Sequence, residues 1–138
     1  MKSDLLLRIA TKLLVPFALV FALYVQFHGD YGPGGGFQAG VICAAGIILY
    51  AIIFGLNAAE RIVPPWIVHK MIALGVLLFA GVGVVSMFRG GEFLNYSVLA
   101  PDPVAGQHMG ILLVEFGVLV TVFGTMTSFF YAFTVRGR

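Results

Sequence analysis

The chain alternates long apolar stretches with short polar connections. Its four apolar stretches lie at about residues 5–27, 37–56, 66–88 and 109–133. A helix needs about 20 apolar residues to cross the hydrocarbon core of a bilayer, and backbone polar groups in lipid must be satisfied within the protein. None of the stretches shows the sustained alternation of a membrane strand. The pattern predicts an all-α integral membrane protein, with residues 1–138 forming a single domain of four transmembrane helices.

Composition supports the same class. Of 138 residues, 60% are hydrophobic and 10% are charged, and the mean hydropathy is +1.02. A soluble domain has about a quarter of its residues charged. The net charge of +2 is too small to indicate a nucleic-acid-binding protein. The single cysteine, Cys43, allows neither an intrachain disulfide nor a thiolate metal cluster, and no cofactor motif is present, so we expect no bound metal or cofactor.

The first helix carries basic residues within its first half. Between Leu13 and Phe27 the chain is uninterrupted by charge, but this length is short for a span. If Arg8 and Lys12 extend their side chains to the headgroups, the preceding apolar residues complete the span. We therefore predict a spanning helix with a basic collar.

The distribution of basic residues predicts the topology. All but one lie before the first helix, between the second and third, or after the fourth: Lys2, Arg8, Lys12, Arg61, Lys70, Arg136 and Arg138. The exception is Arg89. Cytoplasmic loops carry an excess of Lys and Arg. We therefore predict that both termini lie in the cytoplasm, and that residues 28–36 and 89–107 face outward.

A glycine-rich segment joins the first two helices. Residues 28–40, here called the glycine motif, read His-Gly-Asp-Tyr-Gly-Pro-Gly-Gly-Gly-Phe-Gln-Ala-Gly. Pro33 fixes one backbone angle and the three glycines after it permit positive ones, so the chain can reverse sharply. A phosphate-binding loop would need a Lys and a hydroxyl after the glycines, where Phe37 and Gln38 stand instead. The motif therefore predicts a shaped turn.

The second helix begins with regularly spaced small residues. Gly36, Gly40 and Ala44 recur every fourth residue, which places them on one helix face. Such a small-residue face lets another helix approach closely. We assign turn and packing roles to His28, Gly29, Pro33, Gly34, Gly35, Gly36, Phe37, Gln38 and Gly40.

With these residues the chain resembles the MnhB family, the B subunits of multi-subunit Mrp-type cation/proton antiporters. The resemblance rests on the glycine motif, the short basic N-terminus, the four helices and an acid within the fourth, in Leu113-Val114-Glu115-Phe116-Gly117. It implies a small subunit of a bacterial inner-membrane complex that exchanges Na⁺ or another monovalent cation for protons. Its partners would be larger hydrophobic subunits, which carry the main pumping chemistry. It implies no enzymatic activity.

Glu115 is the main candidate for ion movement. An isolated carboxylate in hydrocarbon is costly, so we expect it to be protonated, paired or in contact with water. It lies about seven residues into the predicted fourth helix, roughly 9 Å from the outer end. His108 lies seven residues earlier on nearly the same face, so the two could form an outward-facing polar stripe.

Several alternatives remain open from sequence alone. A protonated Glu115 could serve only to hydrogen-bond a neighbouring helix, or it could face lipid. The subunit could belong to a membrane-bound hydrogenase that shares the antiporter module, or it could be a scaffold without ion contact. A self-contained small transporter would need more polar groups than the four helices offer.

Overall fold

The described part of the chain is built from helices joined by short connections. The computed structural model describes residues 2–29 and 31–137, with side chains from residue 4 onward. The helices are α1 (Lys2–His28), α2 (Gly36–Phe54), α3 (Leu56–Ile62), α4 (Pro65–Phe88) and α5 (Pro103–Arg136), with one 3₁₀ turn at Tyr96–Val98. Four of them, α1, α2, α4 and α5, are long and apolar enough to cross a membrane. The prediction of an all-α protein with four such helices is confirmed.

The long helices run in alternating directions around α5. Helix α5 packs against both α2 and α4, and α1 packs against α2. The cationic groups of Arg8 and Lys12 lie 5.7 and 5.8 Å from the centre of the Phe54 ring, so the start of α1 adjoins the end of α2. We call this the terminal end of the bundle, and the opposite end, with the glycine motif, the motif end. Arg89 follows α4 at the motif end.

A glycine ends α2 two residues before the predicted boundary at residue 56. Gly55 has φ +95°, a conformation that side chains disfavour, and its N–H donates to the Ala51 carbonyl at 2.9 Å. The short helix α3 then begins with Leu56, which is buried in a cluster with Val68 and Tyr131. The sequence analysis did not predict this helix, because seven residues are too few to show a periodic pattern.

Helix α5 begins six residues earlier than the predicted start at residue 109. Asp102 caps it, with Oδ1 accepting a hydrogen bond from the Val104 N–H at 3.2 Å, and Pro103 occupies the first helical position. An Asp N-cap followed by Pro is a helix-start signal, because Pro there loses no intrahelical hydrogen bond. Glu115 therefore lies twelve residues into α5, about 18 Å along its axis. The predicted depth of 9 Å was wrong.

The interface between α4 and α5 depends on glycines. A Cβ added to Gly117 would lie 2.9 Å from the Gly75 carbonyl oxygen, and one added to Gly75 would lie 2.5 Å from the Gly117 carbonyl oxygen and would overlap Thr121 Oγ1. Thr121 also donates a hydrogen bond across the interface to the Ile72 carbonyl at 3.2 Å. The two backbones are therefore close enough that neither glycine can gain a side chain without displacing a helix.

We expect Gly75→Ala to destabilise the chain by about 1–3 kcal/mol, because the methyl group overpacks this interface. The midpoint of thermal unfolding in detergent, followed by the loss of the monodisperse peak in size-exclusion chromatography, should fall by about 3–10 °C. Gly81→Ala is the matched control on α4, since a Cβ there meets nothing within 4 Å. Equal midpoints for the two variants would contradict the glycine contact.

Candidate functional site

The glycine motif is held against the last turn of α1 by backbone contacts. The Gly35 N–H donates to the Val25 carbonyl at 3.1 Å. A Cβ on Gly29 would lie 2.9 Å from the Gly35 Cα, and one on Gly34 would lie 2.7 Å from the Val25 carbonyl oxygen. Gly34 and Gly35 also have positive φ, of +155° and +126°. Asp30 lies outside the described residues.

The turn brings the start of α2 against Glu115. A Cβ on Gly35 would lie 3.1 Å from Glu115 Oε1, and one on Gly36 would lie 2.8 Å from the Glu115 carbonyl carbon. Glu115 is half-buried, and its Oε2 atom is buried. The first N–H groups of a helix have no acceptor within the helix, and they carry its positive dipole end. The site therefore places a carboxyl group beside a helix N-terminus.

The small-residue face of α2 continues this contact along α5. A Cβ on Gly40 would lie 2.8 Å from the Leu119 carbonyl oxygen, and Ala44 is buried in a cluster with Ile47 and Phe123. The helix that approaches this face is thus α5 of the same chain. Because the contact begins at Gly36, it also fixes the position of Glu115 along the α5 axis relative to the glycine turn.

The remaining motif residues lie around this contact. His28 is the last residue of α1, and its ring stacks on Tyr24 with 5.3 Å between ring centres. Pro33, Phe37 and Gln38 are exposed in this chain. They therefore shape the turn and its surface, while the glycines make the close contacts.

An open cavity of about 680 Å³ lies at the motif end between α1 and α5. It is lined by Gly29 at the end of α1 and by Gln107, His108 and Ile111 on α5, among others. His108 is exposed and is separated from Glu115 by seven residues, about 10 Å along the helix axis. The two predicted ion-path residues therefore lie at successive levels of one helix, with His108 at the cavity and Glu115 deeper.

The structure adds a polar residue that the sequence analysis did not select. Gln26 on α1 is only 1% exposed, and neither its amide oxygen nor its amide nitrogen has a hydrogen-bond partner among the described residues. Ala22, one turn earlier on the same face, is completely buried. The sequence did contain a signal for this residue. Gln26 is an amide in the apolar second half of α1, and polar side chains within membrane spans are rare and usually face the protein interior.

This arrangement supports ion binding better than group-transfer chemistry. It offers a carboxyl group, whose oxygens can hold a proton or a cation, and a buried amide, whose oxygen can accept a hydrogen bond or bind a cation. Within residues 2–29 and 31–137, no three His, Cys, Asp or Glu side chains lie close enough together to hold a metal ion.

The sequence matches a protein family over residues 6–128, and the family is described as a domain related to the MnhB subunit of Na⁺/H⁺ antiporter. The chain belongs to the MnhB family. The matched region includes the glycine motif, Gln26 and Glu115. The resemblance inferred from the glycine motif is thereby confirmed.

Two relatives are similar in sequence to this chain over almost their whole length. A Staphylococcus aureus (strain Newman) protein named "Putative antiporter subunit mnhB2" is 35% identical over 130 residues, covering 92% of each chain. The protein of the same name from Staphylococcus haemolyticus (strain JCSC1435) is 33% identical over 134 residues, covering 95% of this chain and 94% of its own. The similarity thus extends over nearly the whole length of both proteins.

We expect Gly36→Ala to force α2 away from Glu115, because the added methyl group would overlap the Glu115 backbone. Overpacking of about 1–3 kcal/mol lowers the folded-to-unfolded ratio about fivefold or more, so less folded chain should be recovered from membranes. Gly32→Ala is the control within the same motif, since its Cβ would meet only the His28 side chain, at 3.1 Å. Normal recovery of Gly36→Ala would rule out the close approach.

Proposed function

We propose that this chain is a small membrane subunit of a multi-subunit Na⁺/H⁺ antiporter, and that Glu115 takes part in its cation/proton path. The observation that carries the proposal is the contact between the Glu115 carboxyl group and the glycine turn at the start of α2. Membership of the MnhB family and the antiporter names of the relatives support the assembly. Those names also favour the antiporter over a hydrogenase-linked complex.

The contact offers a way for Glu115 to alternate between two neutral states. In the first state the carboxyl group holds a proton. When a monovalent cation binds the carboxylate, the proton leaves, so one positive charge replaces another. Both states avoid the large cost of an uncompensated charge in hydrocarbon. The N-terminus of α2 lowers the cost of the ionised carboxylate between them.

The orientation follows from charge. Of the described basic residues, Arg8, Lys12, Arg61, Lys70 and Arg136 lie toward the terminal end. By the positive-inside rule that end faces the cytoplasm and the motif end faces outward. In a bacterial cell membrane, Glu115 would then be reached from the outer side, where the antiporter takes up protons. The other hydrophobic subunits would complete the path.

Glu115→Gln should lower Na⁺/H⁺ exchange by about tenfold or more, because an amide cannot release a proton when a cation binds. The measurement is the collapse of a pH gradient on Na⁺ addition, in inverted vesicles that contain the whole complex. Native gel electrophoresis should show normal assembly. Glu115→Asp is the control that keeps the carboxyl group, and it should retain more exchange than Glu115→Gln. Full exchange by assembled Glu115→Gln complexes, with the same pH dependence, would refute the ionic role.

A scaffold without ion contact gives a different result from the same assay. If the chain is only a scaffold, Gly36→Leu should abolish assembly of the complex, while Glu115→Gln should keep full Na⁺/H⁺ exchange. Under our proposal, Glu115→Gln assembles and loses exchange. The two variants together therefore separate a structural contribution of the glycine motif from a chemical contribution of the acid.

A further inference from the structure

Helices α1 and α5 lead from the motif-end cavity to the buried side chain of Gln26 and the half-buried side chain of Glu115. Gly29 and Ile111 both line this cavity, one from each helix. Gln26 lies three residues before Gly29, and Glu115 lies four residues after Ile111. These separations place Gln26 about 4.5 Å and Glu115 about 6 Å further into the bundle, one helical turn from the cavity in each case.

Gln26 and Glu115 both lie close to the glycine turn that precedes α2. Gly29 lies on nearly the same face of α1 as Gln26, and it is in backbone contact with Gly35. Gly35 in turn lies against Glu115 Oε1. Gln26 therefore lies within one helical turn of the residue that contacts Gly35, and so near the layer that contains the Glu115 carboxyl group.

The buried amide of Gln26 is available to a ligand. A buried amide normally has hydrogen-bond partners, because an unsatisfied polar group in an apolar environment costs free energy. Two other buried side chains are satisfied locally, since Thr11 Oγ1 donates to the Leu7 carbonyl at 2.8 Å and Ser86 Oγ donates to the Val82 carbonyl at 2.9 Å. The buried hydroxyl of Thr127 has no partner among the described residues, but it lies on α5 near the terminal end, far from the motif-end cavity. Gln26 makes no such bond among the described residues.

We infer that Gln26 and Glu115 bind a partly dehydrated monovalent cation, Na⁺ in the proposed antiporter, that enters through the motif-end cavity. The Gln26 amide oxygen supplies a neutral ligand and the Glu115 carboxylate a charged one. Hard cations prefer oxygen ligands of both kinds, and water from the open cavity can complete the shell. This inference rests on the proposed function and adds to it the ligand set and the entry route.

Gln26→Met tests the amide, because Met has nearly the same length but no oxygen ligand. In vesicles containing the complete complex, the Na⁺ concentration for half-maximal exchange should rise about tenfold, while the maximal rate stays within about twofold. Thr11→Val is the matched control: it removes a buried polar group from the same helix and should leave both values unchanged. Gln26→Asn, which keeps an amide, should fall between wild type and Gln26→Met.

The entry route has a separate test. In a complex whose B subunit carries Cys43→Ala, Ile111→Cys should react with a membrane-impermeant thiol reagent, and NaCl should slow the reaction relative to N-methylglucamine chloride. Labelling that NaCl does not slow would overturn the cation site, since water alone would then occupy the cavity.

The outcomes distinguish this inference from the proposed function. If Glu115→Gln abolishes exchange but Gln26→Met leaves the half-maximal Na⁺ concentration unchanged, the Gln26 site is refuted and the role of Glu115 stands. If Glu115→Gln is fully active, the proposed function fails whatever Gln26→Met does. An equal rise in the Thr11→Val control would also refute a specific ligand role, because it would show a general effect of changing α1.

Discussion

The structure depends on the close approach of α2 and α4 to the backbone of α5. Helices in lipid gain no hydrophobic free energy by leaving apolar surroundings, so their association relies on packing and interhelical hydrogen bonds. Gly36 and Gly40 on α2, and Gly75 on α4, each lie where a Cβ would meet the α5 backbone. Glycine at these positions allows contacts that larger residues would prevent, and α5 is consequently fixed between two neighbours.

This constraint also determines the environment of the acid. Gly35 and Gly36 place the first turn of α2 directly against Glu115. With larger residues at these two positions, the helix N-terminus would move away, and the carboxylate would lose the favourable dipole in a medium that screens charge poorly. The glycine motif and Glu115 therefore form one site, although the sequence analysis assigned packing to the first and chemistry to the second.

Much of the fold follows from hydropathy, and much of the site does not. The bounds of α4 lie within one residue of the predicted ones, since Pro65 and the end of the apolar stretch mark them clearly. The start of α5 was predicted too late because Pro101 and Pro103 suggested a loop, although Asp102 and Pro103 together form a helix-start signal. The contact between Gly35 and Glu115 joins residues eighty positions apart. Apolar residues surround these helices on all sides, so periodicity does not reveal which faces meet.

The packing below the site explains why such a chain would act as a subunit. Beyond Glu115, toward the terminal end, α2 and α5 are joined by the buried apolar side chains of Ala44, Ile47 and Phe123. The side chains of this cluster offer a cation no oxygen ligand, so desolvation of the cation among them would be costly. The cavity lined by Gly29 and His108 lies at the motif end. Under the proposed function we therefore expect onward movement to follow a surface that this chain shares with a neighbour, so that the ion path is completed in the assembled complex.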